Sequence, residues 1–204
     1  FRSLESLLIG AVISSTDAAS VFSVLRSKKL NLRYGTASIL ELESGSNDPW
    51  AYMLTVIILS VMKGGATAGG FVVSLLAQVF FGVGFGALIS LGAVYLIKRV
   101  RFDAAGFDAI FVTDIAILSY ALPSAVGGNG YLSCYIVGIV LGNTKISGKT
   151  ALVHFFDGIT GFTQILLFFL LGLLAFPSQM PSIILPAAAI ALFLTFVARD
   201  RKSV

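Results

Sequence analysis

Long apolar segments, separated by short polar or glycine-rich stretches, occupy most of this chain. A helix that crosses a bilayer needs about 20 predominantly apolar residues, and most of these segments approach or exceed that length. With 57% hydrophobic and only 12% charged residues, the chain lacks the polar exterior that a soluble domain of this size requires. The pattern predicts an all-α, polytopic membrane protein with about seven transmembrane helices. The segments are, approximately, residues 4–25, 37–62, 71–97, 109–125, 130–142, 153–175 and 181–198.

Two of the segments have features that bear on how the helices pack. The fifth, residues 130–142, is shorter than a full span, so its helix begins earlier, within residues 125–130, or is tilted, or does not cross completely. The third contains Gly82, Gly84 and Gly86. Small residues at such spacings allow another helix to approach closely, and we expect all three to do so.

Connections rich in lysine and arginine alternate along the chain with connections that have almost no basic residues. Loops rich in these residues tend to stay in the cytoplasm, and the even-numbered connections contain only Lys63. The alternation favours an odd number of crossings. The formal net charge of +4 then reflects membrane topology, and no nucleic-acid partner is predicted. The other basic residues are Arg26, Lys28, Lys29 and Arg33 in the first connection, Lys98, Arg99 and Arg101 in the third, Lys145 and Lys149 in the fifth, and Arg199, Arg201 and Lys202 after the last segment.

A run of polar residues interrupts the first apolar segment near its middle. It consists of Ser14, Ser15, Thr16 and Asp17. Their side chains compete for backbone hydrogen bonds, so we expect the helix to unwind there. Unwound backbone is tolerated at membrane depth only where it lines a cavity or is buried in protein, and its carbonyls can then coordinate a cation.

The second segment is interrupted by the acidic stretch LELESGSNDPW. On a helix, residues four apart stack on one face. The stretch contains two such pairs, Glu43 with Asn47 and Ser44 with Asp48. Pro49 cannot donate to the helix ladder and restricts Asp48 away from helical geometry. We therefore expect a loosened backbone beside the Asp48 carboxylate.

Ionised carboxylates are costly inside a membrane. Each costs at least about 2.5 to 3.5 kcal/mol at the bilayer centre, and residues 37–59 contain no Lys, Arg or His. At least one carboxylate should therefore be protonated or hold a cation, so that proton and metal ion compete for it. Asp48 is favoured for this role and is expected to be buried. Glu43 fits a functional or a structural role equally, whereas Glu41, about 200° from Glu43 around the helix, favours a structural one.

The polar residues of these two stretches offer hard oxygen ligands. Carboxylate, hydroxyl and carbonyl oxygens suit hard cations, whereas zinc, copper and haem prefer clustered His and Cys, which the sequence does not contain. The glycine-rich stretch KGGATAGG lacks the strand and helix context of a phosphate-binding loop and is interpreted as a connection. No resident cofactor is predicted, and any bound ion would be a transported one.

The remaining polar side chains in the segments have structural interpretations. Cys134 is expected to be a packed side chain and His154 an interfacial one. Asp157 is interpreted as a charge that favours a helix N-terminus. Asp114 lies deeper in its segment and has no assigned partner.

Two other classes of function are consistent with acidic residues in a membrane. An intramembrane aspartyl protease would use Asp17 and Asp48 as an acid/base dyad, but its Gly-x-Gly-Asp hallmark is replaced here by GSND. A cation channel would need a continuous pore and would show no stoichiometric coupling to protons. An exchanger of cation and proton fits the competition at one carboxylate better than either.

Two long motifs resemble the monovalent cation:proton antiporter family, specifically its bacterial branch of NhaP-type and cell-volume-regulation potassium/proton antiporters. They are SSTDAASVFSVLRSKKLNL and LELESGSNDPWAYML. Two further stretches support the likeness, GGNGYLSCYIVGIVLGN and HFFDGITGFTQILLFFLLGLL. The resemblance runs over nearly the whole chain. It implies secondary active exchange of K⁺ or Na⁺ for H⁺, with the first two segments crossing near the bilayer midplane.

The resemblance also implies roles for individual residues. Asp48 corresponds to the carboxylate that binds cation and proton alternately, and Ser44 and Thr16 correspond to further cation ligands. Glu43 would pair with Arg199 in a structural ion pair. The implied ion- and proton-binding set is Asp48, Ser44, Glu43, Thr16, Asp17 and Asn47.

Family members are longer than this chain at both ends. Residues 1–204 are therefore predicted to be a single, partial transmembrane transporter domain with helices missing on both sides. After Arg199 the family continues with a proline and another helix, so residues 200–204 depart from the pattern and are treated as a tail of uncertain origin. The resemblance further implies a homodimer in a bacterial inner membrane.

Overall fold

The structure, a computed structural model, describes residues 2–15, 36–64, 68–99, 106–146 and 148–198. Within these ranges the chain forms helices and short connections, and no strand is present. The helices are α1 (Arg2–Ile13), α2 (Thr36–Met62), α3 (Ala68–Arg99), α4 (Phe107–Ala125), α5 (Gly130–Gly142), α6 (Lys149–Leu174) and α7 (Met180–Phe193). A 3-10 turn (Pro177–Gln179) precedes α7, and a π-helical turn (Leu194–Ala198) follows it.

The predicted all-α class is confirmed for the described part of the chain. In the described part of the chain, one helix falls in each of the seven predicted segments, and most boundaries agree within a few residues. The main difference is in the first segment, where α1 ends at Ile13. Residues 16–35 lie outside the described ranges, so the second half of that segment remains a prediction.

Three of the described helices are long and apolar enough to cross a membrane: Gly69–Arg99, Phe107–Ala125 and Lys149–Leu174. Ser3–Ile13, Gly130–Gly142 and Met180–Phe196 are apolar but shorter. Helix α5 begins at Gly130 and has 13 residues, a length of about 20 Å against a hydrocarbon core of about 30 Å. The helix thus begins at the last residue of the predicted range 125–130, which adds no length, and tilt or incomplete crossing stays open.

Helices α3, α4 and α5 enclose the main hydrophobic core of the first compact unit, Phe1–Lys149. The core residues are Ala93, Ile115, Val137 and Leu141. Tyrosine rings in tilted and edge-to-face contact add α2 to this group, because Tyr131 lies 4.5 Å from Tyr52 and 5.2 Å from Tyr120 between ring centroids.

Close contact between α3 and α5 depends on glycines. A Cβ atom at Gly82 would lie 2.9 Å from the carbonyl oxygen of Asn129, and one at Gly86 would lie 3.2 Å from the Cα of Ser133. The predicted close approach is confirmed at these two positions. It is wrong at Gly84 for the described helices, because Gly84 points away from α5 and a Cβ placed there has none of the described atoms within 4 Å.

The second unit, Thr150–Val204, contains most of α6 together with α7. The described side chains of these helices include no buried one. Their surfaces are largely aliphatic and aromatic, with Phe168, Leu173 and Leu185 well exposed. Such surfaces suit an apolar environment rather than water.

Candidate ion site

Helix α1 ends where the polar run begins. The amide of Ser14 donates to the carbonyl oxygen of Gly10 at 3.0 Å, which is the last hydrogen bond of the helical ladder. The Ser14 hydroxyl donates to the carbonyl oxygen of Ala11 at 2.7 Å. Because this hydroxyl competes for backbone acceptors, it helps to end the helix. The predicted interruption of the first segment is confirmed at Ser14.

Two adjacent residues of α2 bind the end of α1. The Ser15 hydroxyl donates to Oδ1 of Asp48 at 2.6 Å. The side-chain amide of Asn47 donates to the carbonyl oxygen of Ser14 at 2.5 Å. These residues are 33 positions apart in sequence. The contact therefore brings the two polar interruptions of the apolar segments together in space, as the sequence predicts.

Three of the groups at this contact offer oxygen atoms that suit a hard cation. The Asp48 carboxylate, the Ser15 hydroxyl and the Ser14 carbonyl lie within one hydrogen-bonded cluster. Carboxylate, hydroxyl and backbone carbonyl oxygens are the ligands that Na⁺ and K⁺ find in discontinuous transporter helices. No group of three or more His, Cys, Asp or Glu residues suited to a metal occurs among the described residues.

Two expectations about Asp48 are wrong. Helix α2 runs continuously from Thr36 to Met62 with Pro49 inside it, so Asp48 keeps helical geometry. The reason is that Pro49 is buried and its carbonyl accepts a hydrogen bond from Asn129, so neighbouring helices hold this turn in place. Asp48 itself is exposed rather than buried. Pro49 faces α5, whereas the Asp48 side chain points towards the end of α1.

The other predicted residues of α2 fall on the same continuous helix. Ser44 is half-buried and Glu43 is exposed. Their four-residue spacing to Asp48 and Asn47 therefore places each pair on one helix face, as predicted. Asn47, a member of the implied ion- and proton-binding set, donates its described hydrogen bond to the end of α1.

Several predicted positions lie outside the part of the chain that the structure describes. They are Thr16, Asp17, Arg199 and the side chain of Glu41. The ligand role of Thr16 and the ion pair between Glu43 and Arg199 therefore remain predictions.

Residues that the sequence analysis did not assign complete the surroundings of the site. Ser15 lies in the predicted run but was not assigned to Asp48. Asn129 is almost fully buried and caps α5, since its Oδ1 accepts from the amide of Leu132 at 3.1 Å. An Asn directly before a helical Gly-Tyr-Leu is a helix-capping signal, but nothing in the sequence shows that its amide reaches Pro49.

The structure also tests the interpretations of other polar side chains. Cys134 is half-buried, and its thiol donates to the carbonyl oxygen of Ala116 at 3.2 Å, so its packed role is confirmed. The interpretation of Asp157 as an N-terminal helix charge is wrong, because α6 begins at Lys149 and the effect fades beyond the first turn. Asp114 and His154 are exposed on α4 and α6.

The described helices and the polar crossing of α1 with α2 define a multi-pass α-helical membrane protein. Its distinctive feature is an interrupted helix whose end binds an Asn-Asp pair within a second apolar segment. The profile of the family described as sodium/hydrogen exchanger, transmembrane, matches residues 1–199. The chain belongs to this family.

Curated relatives support the same assignment. The chain is 40% identical over 201 residues to the K(+)/H(+) antiporter NhaP2 of Shewanella oneidensis. It is 38% identical over 199 residues to the K(+)/H(+) antiporter NhaP of Alkalimonas amylolytica. Each alignment covers 96% of this chain and 34% of the relative. The Na(+)/H(+) antiporter NhaS2 of a Synechocystis species is 28% identical over 194 residues, covering 90% of this chain and 34% of the relative. The chain thus spans about a third of the length of these relatives.

Proposed function

We propose that this chain forms the ion-binding part of an antiporter that exchanges K⁺ or Na⁺ for H⁺ across a bacterial inner membrane. Asp48 is the group that binds the cation and the proton alternately. The observation that carries the proposal is the hydrogen-bonded contact between Asp48 and Ser15 at the end of an interrupted helix. Relatives named as potassium/proton and sodium/proton antiporters support the class of reaction.

Competition at one carboxylate supplies the coupling. Asp48 can hold a proton or coordinate a cation, and either partner compensates the cost of its charge in a low-dielectric setting. The segment around it offers no basic side chain, since residues 36–62 contain no Lys, Arg or His. Release of one ion therefore favours uptake of the other, and access from alternating sides converts this competition into exchange.

The Ser15 hydroxyl suits both states of Asp48. A hydroxyl has one donor and two acceptor sites. It donates to the ionised carboxylate, and it can turn an oxygen lone pair towards a cation held by the same carboxylate. Asn47 supports this arrangement, because its amide ties the Ser14 carbonyl to α2.

The remaining roles complete the proposal. Ser44 and Thr16 act with Asp48 as cation ligands, Asp17 contributes to the polar end of the interrupted helix, and Glu43 forms an ion pair with Arg199. The protein carries no resident cofactor, since the cation and the proton are its substrates. It works as a homodimer in the bilayer.

The test is transport by the complete protein in everted membrane vesicles, where cation-driven proton movement is followed with a pH-sensitive dye. Asp48→Asn keeps the size of the side chain, but the amide carries no charge and cannot take up and release a proton. Exchange should therefore fall to background. Asp114→Asn, an exposed carboxylate on α4, is the matched control and should retain exchange. Cation-dependent proton movement in Asp48→Asn at the wild-type rate would show that the assignment of Asp48 is wrong.

A further inference from the structure

Helix α5 binds the backbone of α2 at two points, one on each side of the candidate ion site. The side-chain amide of Asn129 donates to the carbonyl oxygen of Pro49 at 3.1 Å. The hydroxyl of Tyr135 donates to the carbonyl oxygen of Leu42 at 3.0 Å. The two bonds bracket residues 43–48, which we call the site segment.

The spacing of the two bonds fits a pair of antiparallel helices. Leu42 and Pro49 are about 10 Å apart along α2, and Asn129 and Tyr135 are about 9 Å apart along α5, at about 1.5 Å per residue. The later residue of one helix pairs with the earlier residue of the other. Both bonds can therefore form together on straight helices.

Close packing against Tyr135 also holds the site segment midway between the two hydrogen bonds. Gly45 lies in the centre of the site segment, and a Cβ atom there would come within 2.5 Å of Cε2 of Tyr135. The glycine therefore lets the Tyr135 ring rest directly on the α2 backbone. This contact fixes the distance between α5 and the site segment. It also fixes the position of the site segment along the axis of α5.

Asn129 is itself held firmly by α3 and α5. It is only 1% exposed, its backbone amide donates to the carbonyl oxygen of Gln78 at 3.1 Å, and its Oδ1 caps α5. A Cβ atom at Gly82 would lie 2.9 Å from the Asn129 carbonyl oxygen, so α3 leaves this residue little room. The amide group that reaches Pro49 therefore extends from a rigid support.

We infer that α5 is a positioning element for the ion site, with Asn129 and Tyr135 as positioning residues that hold the site segment in register with the end of α1. The inference rests on the proposed function of Asp48. A proline inside a helix removes one hydrogen bond of the ladder and makes that turn easier to deform. The contacts of Asn47 and Asp48 with α1, at 2.5 and 2.6 Å, require the turn to stay in one place.

Two substitutions remove the bonds and keep the neighbouring structure. Asn129→Ser keeps a side chain that can cap α5 but is too short to reach Pro49. Tyr135→Phe keeps the ring on Gly45 and removes only the hydroxyl.

Matched controls make the same changes elsewhere in the unit. Asn143→Ser alters an amide that binds the carbonyl oxygen of Ile139 within its own helix, at 2.8 Å. Tyr95→Phe alters an exposed tyrosine on α3 whose ring lies 5.4 Å from the Arg99 guanidinium carbon. Within the described part of the chain, neither control side chain donates a hydrogen bond to α2.

The experiment measures cation-dependent proton exchange by the complete protein in everted vesicles, at matched amounts of protein in the membrane. Loss of one hydrogen bond should raise the half-saturating cation concentration by about two- to thirteenfold for Asn129→Ser or Tyr135→Phe, since such bonds contribute about 0.5 to 1.5 kcal/mol. The maximal rate should stay within about twofold of wild type, because the ligands themselves are unchanged. The two controls should leave both parameters unaltered.

Contrary outcomes are separable from failure of the proposed function. An unchanged half-saturating cation concentration in both α5 variants overturns the inference. Loss of both α5 variants from the membrane while the control variants accumulate also overturns it, because Asn129 and Tyr135 would then act in folding alone. Asp48→Asn is measured in parallel. If it abolishes exchange while the α5 variants behave as wild type, only the positioning role fails. If it exchanges normally, the Asp48 assignment fails and the positioning role falls with it.

Discussion

At the scale of single residues, the contact between Ser15 and Asp48 shows how a weakly polar side chain can matter to an ion site. The hydroxyl donates to the carboxylate at 2.6 Å, and hydrogen bonds to a charged acceptor are stronger than those between neutral groups. The bond joins the end of α1 to the carboxylate that is proposed to bind the ions. It therefore helps to hold that carboxylate in one orientation.

Ser15→Ala removes this hydrogen bond and one candidate oxygen ligand of the cation. The half-saturating cation concentration should therefore rise by about three- to tenfold. Vesicle assays over a range of cation concentrations measure the change.

Two further variants separate this role from a general packing effect. Ser15→Thr retains a hydroxyl and should behave nearly as wild type. Ser124→Ala removes a hydroxyl that donates to the carbonyl oxygen of Tyr120 at 2.6 Å, away from the site, and should have no effect on cation dependence. Equal losses in Ser15→Ala and Ser15→Thr would contradict a role for the hydroxyl.

At the scale of elements, the packing of α3 against α5 depends on which face of α3 a glycine occupies. A Cβ atom at Gly82 would meet the Asn129 carbonyl oxygen at 2.9 Å, whereas one at Gly84 would meet no atom of the described residues within 4 Å. Backbone atoms cannot move aside as a flexible side chain can. A side chain would therefore disrupt the packing at Gly82 but not at Gly84, although the two glycines are only two residues apart.

Gly82→Ala should therefore destabilise the protein by about 1 to 3 kcal/mol, as expected for an added methyl group in a packed interface. Gly84→Ala should be neutral or slightly stabilising, because alanine favours helix more than glycine does. Thermal unfolding of the complete protein in detergent compares the two. A lower midpoint for Gly84→Ala than for Gly82→Ala would show that α3 is rotated relative to the structure described above.

The same elements show what the sequence could and could not predict. Apolar length and punctuation predicted the helices well, because each helix in a membrane satisfies its own backbone groups. Serine chemistry predicted the interruption at Ser14. By contrast, the face of Gly84, the continuity of α2 through Pro49 and the bond from Asn129 all depend on neighbours distant in sequence. These tertiary contacts override local preferences, so no local pattern could specify them.

At the scale of the whole molecule, the number of crossings determines on which side of the membrane each connection lies. The basic residues predict that Lys63 lies outside and Lys145 inside. Between them lie α3, α4 and α5, so the prediction requires α5 to cross although it has only 13 residues. If α5 turned back within the membrane, both lysines would face the same side.

Single cysteines at Lys63 and Lys145 distinguish these topologies. Both lysines are exposed in the structure, and both can be replaced in a complete protein whose other cysteines, including Cys134, are changed to alanine. A membrane-impermeant maleimide added to intact cells should label Lys63→Cys and leave Lys145→Cys unlabelled until the cells are opened. Labelling of both from the outside would mean that α5 does not complete a crossing. The short α5, which contacts the site segment on α2, would then turn back within the membrane beside Asp48.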